Sequence, residues 1–365
     1  MKTNSIACIV GARPNFMKIA PIMEELRRWP CFQARLIHTG QHFSPEMSAS
    51  FFRDLGMPEP NENLGIGSGT QIEQGAAIMV ALEKAFFKNR PDLVLVVGDV
   101  TSTLAAALVA SKLEIPLAHI EAGLRSFDRG MPEEINRIVT DALSDYLFVT
   151  EPSGLRNLHT EGVAENKIFF VGNVMIDTLL RFREQALQST ILTQLAVQPG
   201  SYALATLHRP ANVDEPIQLR RLIEMLGEIG KRLHVVFPVH PRTQRRIEEA
   251  GVATGGLILT PPLPYLDFLR LMADARLVLT DSGGIQEETT VLNVPCLTLR
   301  DNTERPVTIE VGTNQLVGTD PARALTAAIE LLEGADRPAR VPELWDGQAS
   351  ARIVTILARQ MAASV

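Results

Sequence analysis

Short apolar runs alternate along the chain with longer segments whose apolar residues recur every three or four positions. Residues 6–10 form the first run, and the next segment, residues 14–29, places Ile19, Ile22 and Leu26 on one helical face. The same alternation predicts further strands at 34–40, 92–100 and 116–123, with helices at 70–89 and 102–113. Strands separated by helices in this way pair in parallel through right-handed crossovers. The first half of the chain is therefore predicted to be an α/β domain with a parallel sheet.

The pattern weakens between residues 173 and 200 and then begins again. It predicts strands at 201–210, 234–241, 277–279 and 294–300, with helices at 219–233 and 265–274. We therefore predict two doubly wound, Rossmann-like domains, residues 1–172 and 173–348, with a hinge near 171–200 and a ligand cleft between them. A last helix, about residues 349–365, is compatible with either domain and can pack back on the first. Sheets of this type bind ligands outside the carboxyl ends of their strands.

The length of 365 residues agrees with two domains. A net charge of −7 argues against a nucleic-acid partner, which would require a basic surface. Three cysteines lie far apart and have no metal-ligand spacing, as expected in a reducing cytoplasm. We see no apolar segment of the length of a signal peptide or of a membrane span. We therefore expect a cytoplasmic protein with no membrane or nucleic-acid partner.

The stretch LVLTDSGGIQEET, residues 277–289, offers two interpretations. The glycines can simply make a tight turn between a strand and a helix. Alternatively, the unpaired N–H groups at the start of that helix can bind an anion. Two glutamates follow within the helix, and a phosphate site tolerates carboxylates where another ligand group, such as a ribose, needs acceptors.

Polar side chains collect at the carboxyl ends of the predicted strands. They are Arg13, Lys18, Asp99, Glu121, Glu133, Glu134, Asn136, Arg137, His208, Arg209, His240 and Ser282. Individually each has a structural explanation: Asp99 can cap a helix, Glu133 suits a helix start, and Lys18 can be solvated. His38 and His42 are weaker candidates. The coincidence of so many carboxylates, histidines and basic groups at strand ends predicts one active site.

Several common kinds of cofactor, nucleotide and metal site are not predicted, because the sequence does not match their motifs. The glycines of residues 65–69 do not directly follow a strand, so a dinucleotide-binding turn is not predicted. The chain has neither a phosphate-binding loop of the Walker type nor a Gly-x-Ser-x-Gly elbow. The acidic residues match no compact metal motif. We therefore predict neither a cofactor nor a metal.

Taken together, the motifs resemble one family. GARPNFMK, VVGDVTSTLAAA, HIEAGLRSFDRGMPEEINR, GNVMIDTL, LHRPANVD, PVHP, and LTDSGGIQEE followed by RDNTERP are similar to the non-hydrolysing UDP-N-acetylglucosamine 2-epimerases. The resemblance extends from about residue 8 to about residue 318. It implies a fold like that of GT-B glycosyltransferases, with the nucleotide in the interdomain cleft.

The resemblance also implies the reaction. Members interconvert UDP-GlcNAc and UDP-ManNAc without a redox cofactor, by eliminating UDP to a 2-acetamidoglucal and adding it back. It further implies a homodimer and a role in polysaccharide biosynthesis. By resemblance the catalytic residues are Asp99, Glu121, Glu133 and His208. The resemblance leaves open which of them removes the proton in the forward direction. The implied substrate-binding residues are Arg13, Lys18, Arg137, His240, Ser282, Gly283, Gly284 and Glu288, with the Ser-Gly-Gly segment on the diphosphate and Glu288 on the ribose.

The chain departs from the family pattern at several positions, such as Asn15, where the family usually has Glu. These departures leave room for another UDP-2-acetamido sugar, a 6-deoxy or uronic relative. A hydrolysing epimerase that releases ManNAc is a further alternative. A GT-B glycosyltransferase would use the same nucleotide site but would not need three carboxylates, and a UDP-sugar sensor would leave all of them unexplained.

Overall fold

A computed structural model describes residues 3–40, 56–67, 69–249, 251, 254–335 and 339–363. The chain divides into two compact units. Unit 1 contains Met1–Thr178 and Glu343–Val365, and unit 2 contains Leu179–Pro342. His42 lies outside the described residues, and nothing is assigned to it.

The described part of unit 1 contains one parallel sheet of seven strands. The strands are β1 (Asn4–Val10), β2 (Phe32–His38), β3 (Glu62–Asn63), β4 (Leu93–Val97), β5 (Leu117–Ala122), β6 (Tyr146–Val149) and β7 (Ile168–Phe170). Their order is β3-β2-β1-β4-β5-β6-β7, so the winding direction reverses between β1 and β4. Such a reversal leaves a crevice at the carboxyl ends of the two strands, which is where doubly wound sheets bind ligands.

The helices between these strands cover the sheet. They are α1 (Arg13–Arg27), α2 (Gln71–Lys88), α3 (Thr101–Lys112), α4 (Pro132–Leu143), α5 (Pro152–Thr160) and α6 (Val174–Ala186), and a 3-10 turn occupies Glu165–Lys167. All residues of β4 are buried, as its uninterrupted apolar sequence predicts. In α3 the small side chains Ala105, Ala106 and Ala107 are buried and allow the helix to approach the sheet closely.

Unit 2 repeats the arrangement with a parallel sheet of six strands in its described part. The strands are β8 (Tyr202–Thr206), β9 (His234–Pro238), β10 (Leu257–Thr260), β11 (Leu277–Thr280), β12 (Cys296–Thr298) and β13 (Asn314–Leu316). Its helices are α7 (Ile191–Gln194), α8 (Pro210–Val213), α9 (Pro216–Gly230), α10 (Pro241–Glu249), α11 (Tyr265–Ala273), α12 (Gly283–Leu292), α13 (Val307–Glu310) and α14 (Pro321–Leu332). The order β10-β9-β8-β11-β12-β13 reverses between β8 and β11, which places the crevice of this unit after those two strands.

The last helix, α15 (Ala349–Ala363), belongs to unit 1 and packs against α1. The carboxylate of Asp177 accepts hydrogen bonds from the N–H groups of Ala349 and Ser350, at 3.0 and 2.7 Å. The buried indole of Trp345 donates to the carbonyl of Thr150 at 2.9 Å. These contacts satisfy the free N–H groups at the start of α15 and hold the returning chain on unit 1.

The predicted α/β fold class with parallel sheets is confirmed. The strands that the apolar pattern predicts are all present, and the structure adds β3, β6, β7, β10 and β13. The added strands have two to four residues each. Among the described helices, none combines the length and the apolar character required to cross a lipid bilayer.

Candidate active site

The turn after β1 is held by the side chain of Asn15. Its Oδ1 accepts hydrogen bonds from the N–H groups of Gly11 and Ala12, at 3.2 and 3.0 Å. Its Nδ2 donates at 2.9 Å to the carbonyl of Val97, at the end of the neighbouring strand β4. Asn15 therefore ties together the two strand ends that flank the crevice of unit 1. Arg13 begins α1 at this crevice; its side chain is outside what the structure describes.

Glu121 lies at the end of β5 in a strained backbone conformation. Its φ is +72°, in the left-handed region that a non-glycine residue rarely adopts, and the strand is irregular between Ile120 and Ala122. Its side chain is buried and forms an ion pair with Lys18 of α1. The structural explanations of these two residues as solvated surface groups are therefore wrong. A buried carboxylate on strained backbone is a feature typical of functional sites.

Asp99 follows β4 and is held by two residues of α4. The Asn136 side chain donates to its carbonyl at 2.8 Å, and the Arg137 guanidinium pairs with its carboxylate. Asp99 does not cap the next helix, because α3 has Val100 at its N-cap position and no side-chain capping bond. The carboxylate keeps 24% of its side-chain surface exposed, so it remains accessible.

Arg137 also contacts Glu134, at 2.7 Å, and Glu134 organises the loop that leads into α4. The Glu134 carboxylate accepts hydrogen bonds from the N–H groups of Ser126 and Phe127, both at 2.9 Å. By contrast, the half-buried Glu133 in the first turn of α4 has no hydrogen bond or ion pair to another described residue. Of the paired glutamates, Glu134 is thus structural and Glu133 is available for chemistry.

In unit 2, His208 is oriented by Asp281. The His208 Nδ1 lies 2.7 Å from Asp281 Oδ1, and the imidazole is 60% exposed. Asp281 is fully buried and also accepts from the N–H groups of His208 and Arg209 and from the Asn212 side chain. Burial alone would raise the pKa of this carboxyl, but the bonds from His208, Arg209 and Asn212 hold it below its ordinary value. A charged Asp281 on Nδ1 leaves Nε2 as the outward-facing nitrogen of His208.

Ser282 is the N-cap of α12, and Gly283 and Gly284 form its first turn. A Cβ on Gly283 would lie only 2.6 Å from an Nη of Arg305, so a larger residue would have to displace that side chain. Arg305 is buried and is paired with the carboxylates of Glu287 and Glu304. The helix dipole places positive potential at this N-terminus, as an anion site requires.

Glu288 lies in α12 and is almost completely buried. Its Oε1 accepts a hydrogen bond from the Tyr265 hydroxyl at 3.0 Å. Burial, with a smaller contribution from the neighbouring Glu287, raises the pKa of Glu288 to about 8, although the bond from Tyr265 opposes this shift. The carboxyl group of Glu288 therefore has little access to water. It lies one to two helical turns beyond the candidate anion site at Ser282, Gly283 and Gly284.

The structure places the predicted residues at the carboxyl edges of the two sheets. In unit 1 they form two ion pairs, Lys18 with Glu121 and Arg137 with Asp99, while His208, Ser282, Gly283 and Gly284 follow β8 and β11 in unit 2. His240 is exposed, directly before α10. No group of three or more His, Cys, Asp or Glu side chains suited to a metal ion occurs in the described part of the chain.

Sequence reasoning did not select Asp281, nor the buried pair His119 and Asp141 in unit 1. Asp281 ends an apolar strand directly before Ser282, a position that could have singled it out. His119 and Asp141 gave no comparable signal, because one lies within a strand and the other near the end of a helix.

Comparison with known proteins identifies the family. The sequence model described as UDP-N-acetylglucosamine 2-epimerase matches residues 24–358. The chain is 44% identical over 362 residues to the UDP-N-acetylglucosamine 2-epimerase of Methanocaldococcus jannaschii, covering 96% of this chain and 98% of that one. It is 41% identical over 364 residues to the UDP-2,3-diacetamido-2,3-dideoxy-D-glucuronate 2-epimerase of Pseudomonas aeruginosa, covering 97% and 99%.

The fold agrees with this assignment. A crystal structure of the M. jannaschii UDP-GlcNAc 2-epimerase in complex with UDP-GlcNAc and UDP matches with a TM-score of 0.90 at 43% identity, over 97% of this chain and 99% of that one. The predicted GT-B-like fold class and the predicted family are both confirmed. The chain therefore belongs to the UDP-N-acetylglucosamine 2-epimerase family.

Proposed function

We propose that the protein interconverts UDP-GlcNAc and UDP-ManNAc by inverting C2 of the sugar. The observation that carries the proposal is Glu121, a buried carboxylate on strained backbone that is paired with Lys18 and lies over Gly98, the residue before Asp99. Deprotonation at a carbon requires a base that is fixed in position and shielded from water. The relatives reported above carry names of 2-epimerases, which agrees with this chemistry.

The reaction divides into elimination and re-addition. A base takes the proton from C2, the C2–H electron pair forms the C1–C2 double bond, and the C1–O bond breaks to release UDP and 2-acetamidoglucal. Return of a proton to the opposite face of C2 and attack of UDP on C1 give the epimer. Two faces require two acid/base groups, and we assign this work to Asp99, Glu121 and Glu133, with His208 as a further candidate.

The leaving diphosphate needs stabilisation as the C1–O bond breaks. We assign this role to the N–H groups of Ser282, Gly283 and Gly284, supported by the positive N-terminus of α12. We assign Glu288 to the ribose hydroxyls, and Arg13, Lys18 and His240 to the charge of the diphosphate. Arg137 positions Asp99 through their ion pair.

A related UDP-2-acetamido uronate is the second candidate substrate. The observation that favours it is the 41% identity to an enzyme named for UDP-2,3-diacetamido-2,3-dideoxy-D-glucuronate, close to the 44% for the UDP-GlcNAc enzyme. Both substrates undergo the same change at C2, so the two candidates differ only in the groups that contact C3 and C6.

Proton NMR of the protein with UDP-GlcNAc in deuterated water tests the proposed function. We expect UDP-ManNAc signals to grow while deuterium appears at C2, because the proton removed from C2 exchanges with solvent before it returns. Free ManNAc would instead indicate a hydrolysing epimerase. No reaction with UDP-GlcNAc but turnover of the diacetamido uronate would establish the second candidate, and no reaction with either would contradict both.

We also propose a homodimer formed through α2. This helix exposes Ile72, Val80 and Phe87 by 82, 53 and 70%, and their spacing places all three on one face. Glu73 lies at the N-terminal end of the helix and Lys88 at its C-terminal end. In an antiparallel pair related by a two-fold axis, each Glu73 approaches the partner helix's basic end, and Ile72 approaches the partner helix's Phe87.

Sedimentation velocity with the variant Val80→Glu tests this interface. We expect the wild type to sediment as a dimer and Val80→Glu as a monomer, because two carboxylates would be buried at the two-fold axis without partners. The control Val341→Glu changes an equally exposed valine of unit 2, 52% accessible, and should leave the dimer intact. A monomeric wild type, or a dimeric Val80→Glu, would contradict the proposal.

The predicted cytoplasmic location and the role in polysaccharide biosynthesis stay predictions. The cysteines are free thiols, and Cys8 and Cys296 are buried, which agrees with a reducing compartment.

A further inference from the structure

His119 and Asp141 form a completely buried pair beneath the catalytic carboxylates of unit 1. His119 lies on β5, two residues before Glu121, and Asp141 lies on α4. The His119 Nδ1 is 2.6 Å from Asp141 Oδ1, and the two side chains are 0 and 1% exposed. The other ring nitrogen, Nε2, is 2.9 Å from the carbonyl oxygen of Gly98.

The partners of His119 define its hydrogen bonds. A carbonyl oxygen accepts and never donates, so Nε2 donates to Gly98. The Asp141 carboxyl faces Nδ1, and its other oxygen accepts from the Gly123 N–H at 3.0 Å and contacts Arg125 at 2.7 Å. Burial alone would raise the pKa of Asp141, but His119, Arg125 and the Gly123 N–H hold it below its ordinary value. Both ring nitrogens of His119 are therefore engaged, one by a side chain of α4 and the other by the backbone before Asp99.

Each end of this pair holds the backbone next to a catalytic carboxylate. His119 binds the carbonyl of Gly98, the residue that precedes Asp99, and Gly98 adopts a φ of +68°. Asp141 binds the N–H of Gly123, two residues after the strained Glu121, and Gly123 adopts a φ of +80°. Two turns with left-handed backbone, at Gly98 and at Glu121–Gly123, are thus fastened to one buried pair.

The two turns also touch each other. A Cβ on Gly98 would lie 3.2 Å from Glu121 Oε2 and equally close to Lys18 Nζ, so the Glu121 side chain lies directly over the Gly98 turn. A small movement of the Gly98 carbonyl would therefore displace both carboxylates together. Displacements of about 1 Å at a reacting centre can cost roughly 100-fold in rate.

We propose that His119 and Asp141 are positioning residues, a buried hydrogen-bonded pair that sets the separation of the Asp99 and Glu121 carboxylates. The proposal rests on the proposed function, because those carboxylates are its acid/base groups. Neither residue contacts the sugar in this role; both act through the backbone of Gly98 and Gly123.

Two variants of His119 separate its contact with Asp141 from its hydrogen bond to Gly98. In His119→Asn the amide nitrogen takes the place of Nδ1 and keeps a donor for Asp141, while the bond to Gly98 is lost. In His119→Gln the amide nitrogen takes the place of Nε2 and keeps the bond to Gly98. We expect kcat to fall by about 100-fold in His119→Asn and by about tenfold in His119→Gln, with KM and UDP affinity unchanged in both.

Kinetics, UDP titration and thermal unfolding of both variants provide the readout. A purely structural role would lower stability and UDP affinity in both without separating kcat from KM. Equal kcat in the two variants, or wild-type kcat in His119→Asn, would overturn the proposal. An inactive wild type would instead contradict the proposed function, so the two failures are distinguishable.

Nitrogen NMR of the wild type labelled at histidine does not depend on the folding of a variant. We expect Nε2 of His119 to carry a proton, held by the Gly98 carbonyl, both in the free protein and with UDP bound. An unprotonated Nε2 would show that this hydrogen bond is absent and would overturn the proposal.

Discussion

Glu121→Gln should lose almost all epimerase activity, with kcat lower by about 10²- to 10⁴-fold, the usual contribution of an acid/base group. Glutamine has the shape of glutamate and keeps an oxygen for Lys18, so the buried contact is retained. It cannot take up a proton, and the left-handed backbone at this residue is equally strained in both proteins. Because the variant also removes the counter-charge of the buried Lys18, its thermal unfolding is measured beside its activity, and a loss of activity with the fold intact reports proton transfer.

The measurement is the rate of deuterium incorporation at C2 of UDP-GlcNAc, alongside UDP affinity. UDP binding should be retained, because Ser282, Gly283, Gly284 and Glu288, which we assign to the diphosphate and the ribose, belong to unit 2. Glu114→Gln is the matched control, since Glu114 also has a positive φ, +52°, but is exposed at the far end of α3. Near-normal exchange by Glu121→Gln would remove Glu121 from the acid/base pair and leave the role to Asp99 and Glu133.

Glu288→Gln should make unit 2 more stable than the wild type at alkaline pH. The pKa of Glu288 is raised from 4.5 to about 8 by burial, so the folded protein holds a proton that the unfolded chain releases. The contribution of Glu288 to the free energy of unfolding is fully present below pH 4.5. It is lost as the pH rises towards 8, and above pH 8 it no longer changes with pH. The shift corresponds to roughly 5 kcal/mol as an upper bound, and we expect a gain of about 2 to 5 kcal/mol for glutamine at high pH.

The free energy of unfolding, measured by circular dichroism in denaturant across this pH range, tests the prediction. Both tryptophans, Trp29 and Trp345, belong to unit 1, so their fluorescence monitors that unit separately. Unfolding of two units need not be two-state, and this second signal separates their transitions. Glu224→Gln, on the exposed side of α9, is the control and should leave the pH dependence unchanged. If the free energies of unfolding of Glu288→Gln and of the wild type changed in parallel with pH, the raised pKa of Glu288 would be contradicted.

Glu288 lowers the stability of the free protein near neutral pH, so we expect this residue to have a functional role. The assignment of Glu288 to the ribose supplies one, because two hydroxyl donors would stabilise the ionised form when UDP binds. Glu288→Gln should therefore bind UDP about tenfold more weakly or worse, even as the free protein becomes more stable.

Much of the architecture follows from local patterns. The apolar runs at 92–100 and 277–279 correspond to β4 and β11, because a strand buried on both faces must be apolar throughout. The order of strands and helices then restricts each half to a parallel sheet. Short edge strands such as β3 and β13 escaped prediction because two or three residues carry no periodicity.

The candidate site was predictable only in part. Asp99, Glu121 and His208 follow strands, so their common location at the carboxyl edge of a sheet follows from the fold class. Their partners do not follow from it. Lys18 contacts Glu121 across 103 positions of the chain, and Asp281 contacts His208 across more than 70 positions. Such contacts depend on which strands become neighbours, and strand order is a property of the folded sheet.

The sequence by itself determined the α/β class, the family and the set of polar residues at the strand ends, since each is encoded in local pattern or motif. Only the tertiary structure decided the state of each group. It buried Glu121 with Lys18, left Glu133 without a described partner, and raised the pKa of Glu288 by burial. Protonation and positioning depend on the dielectric environment and on neighbours distant in sequence, and these exist only once the chain has folded.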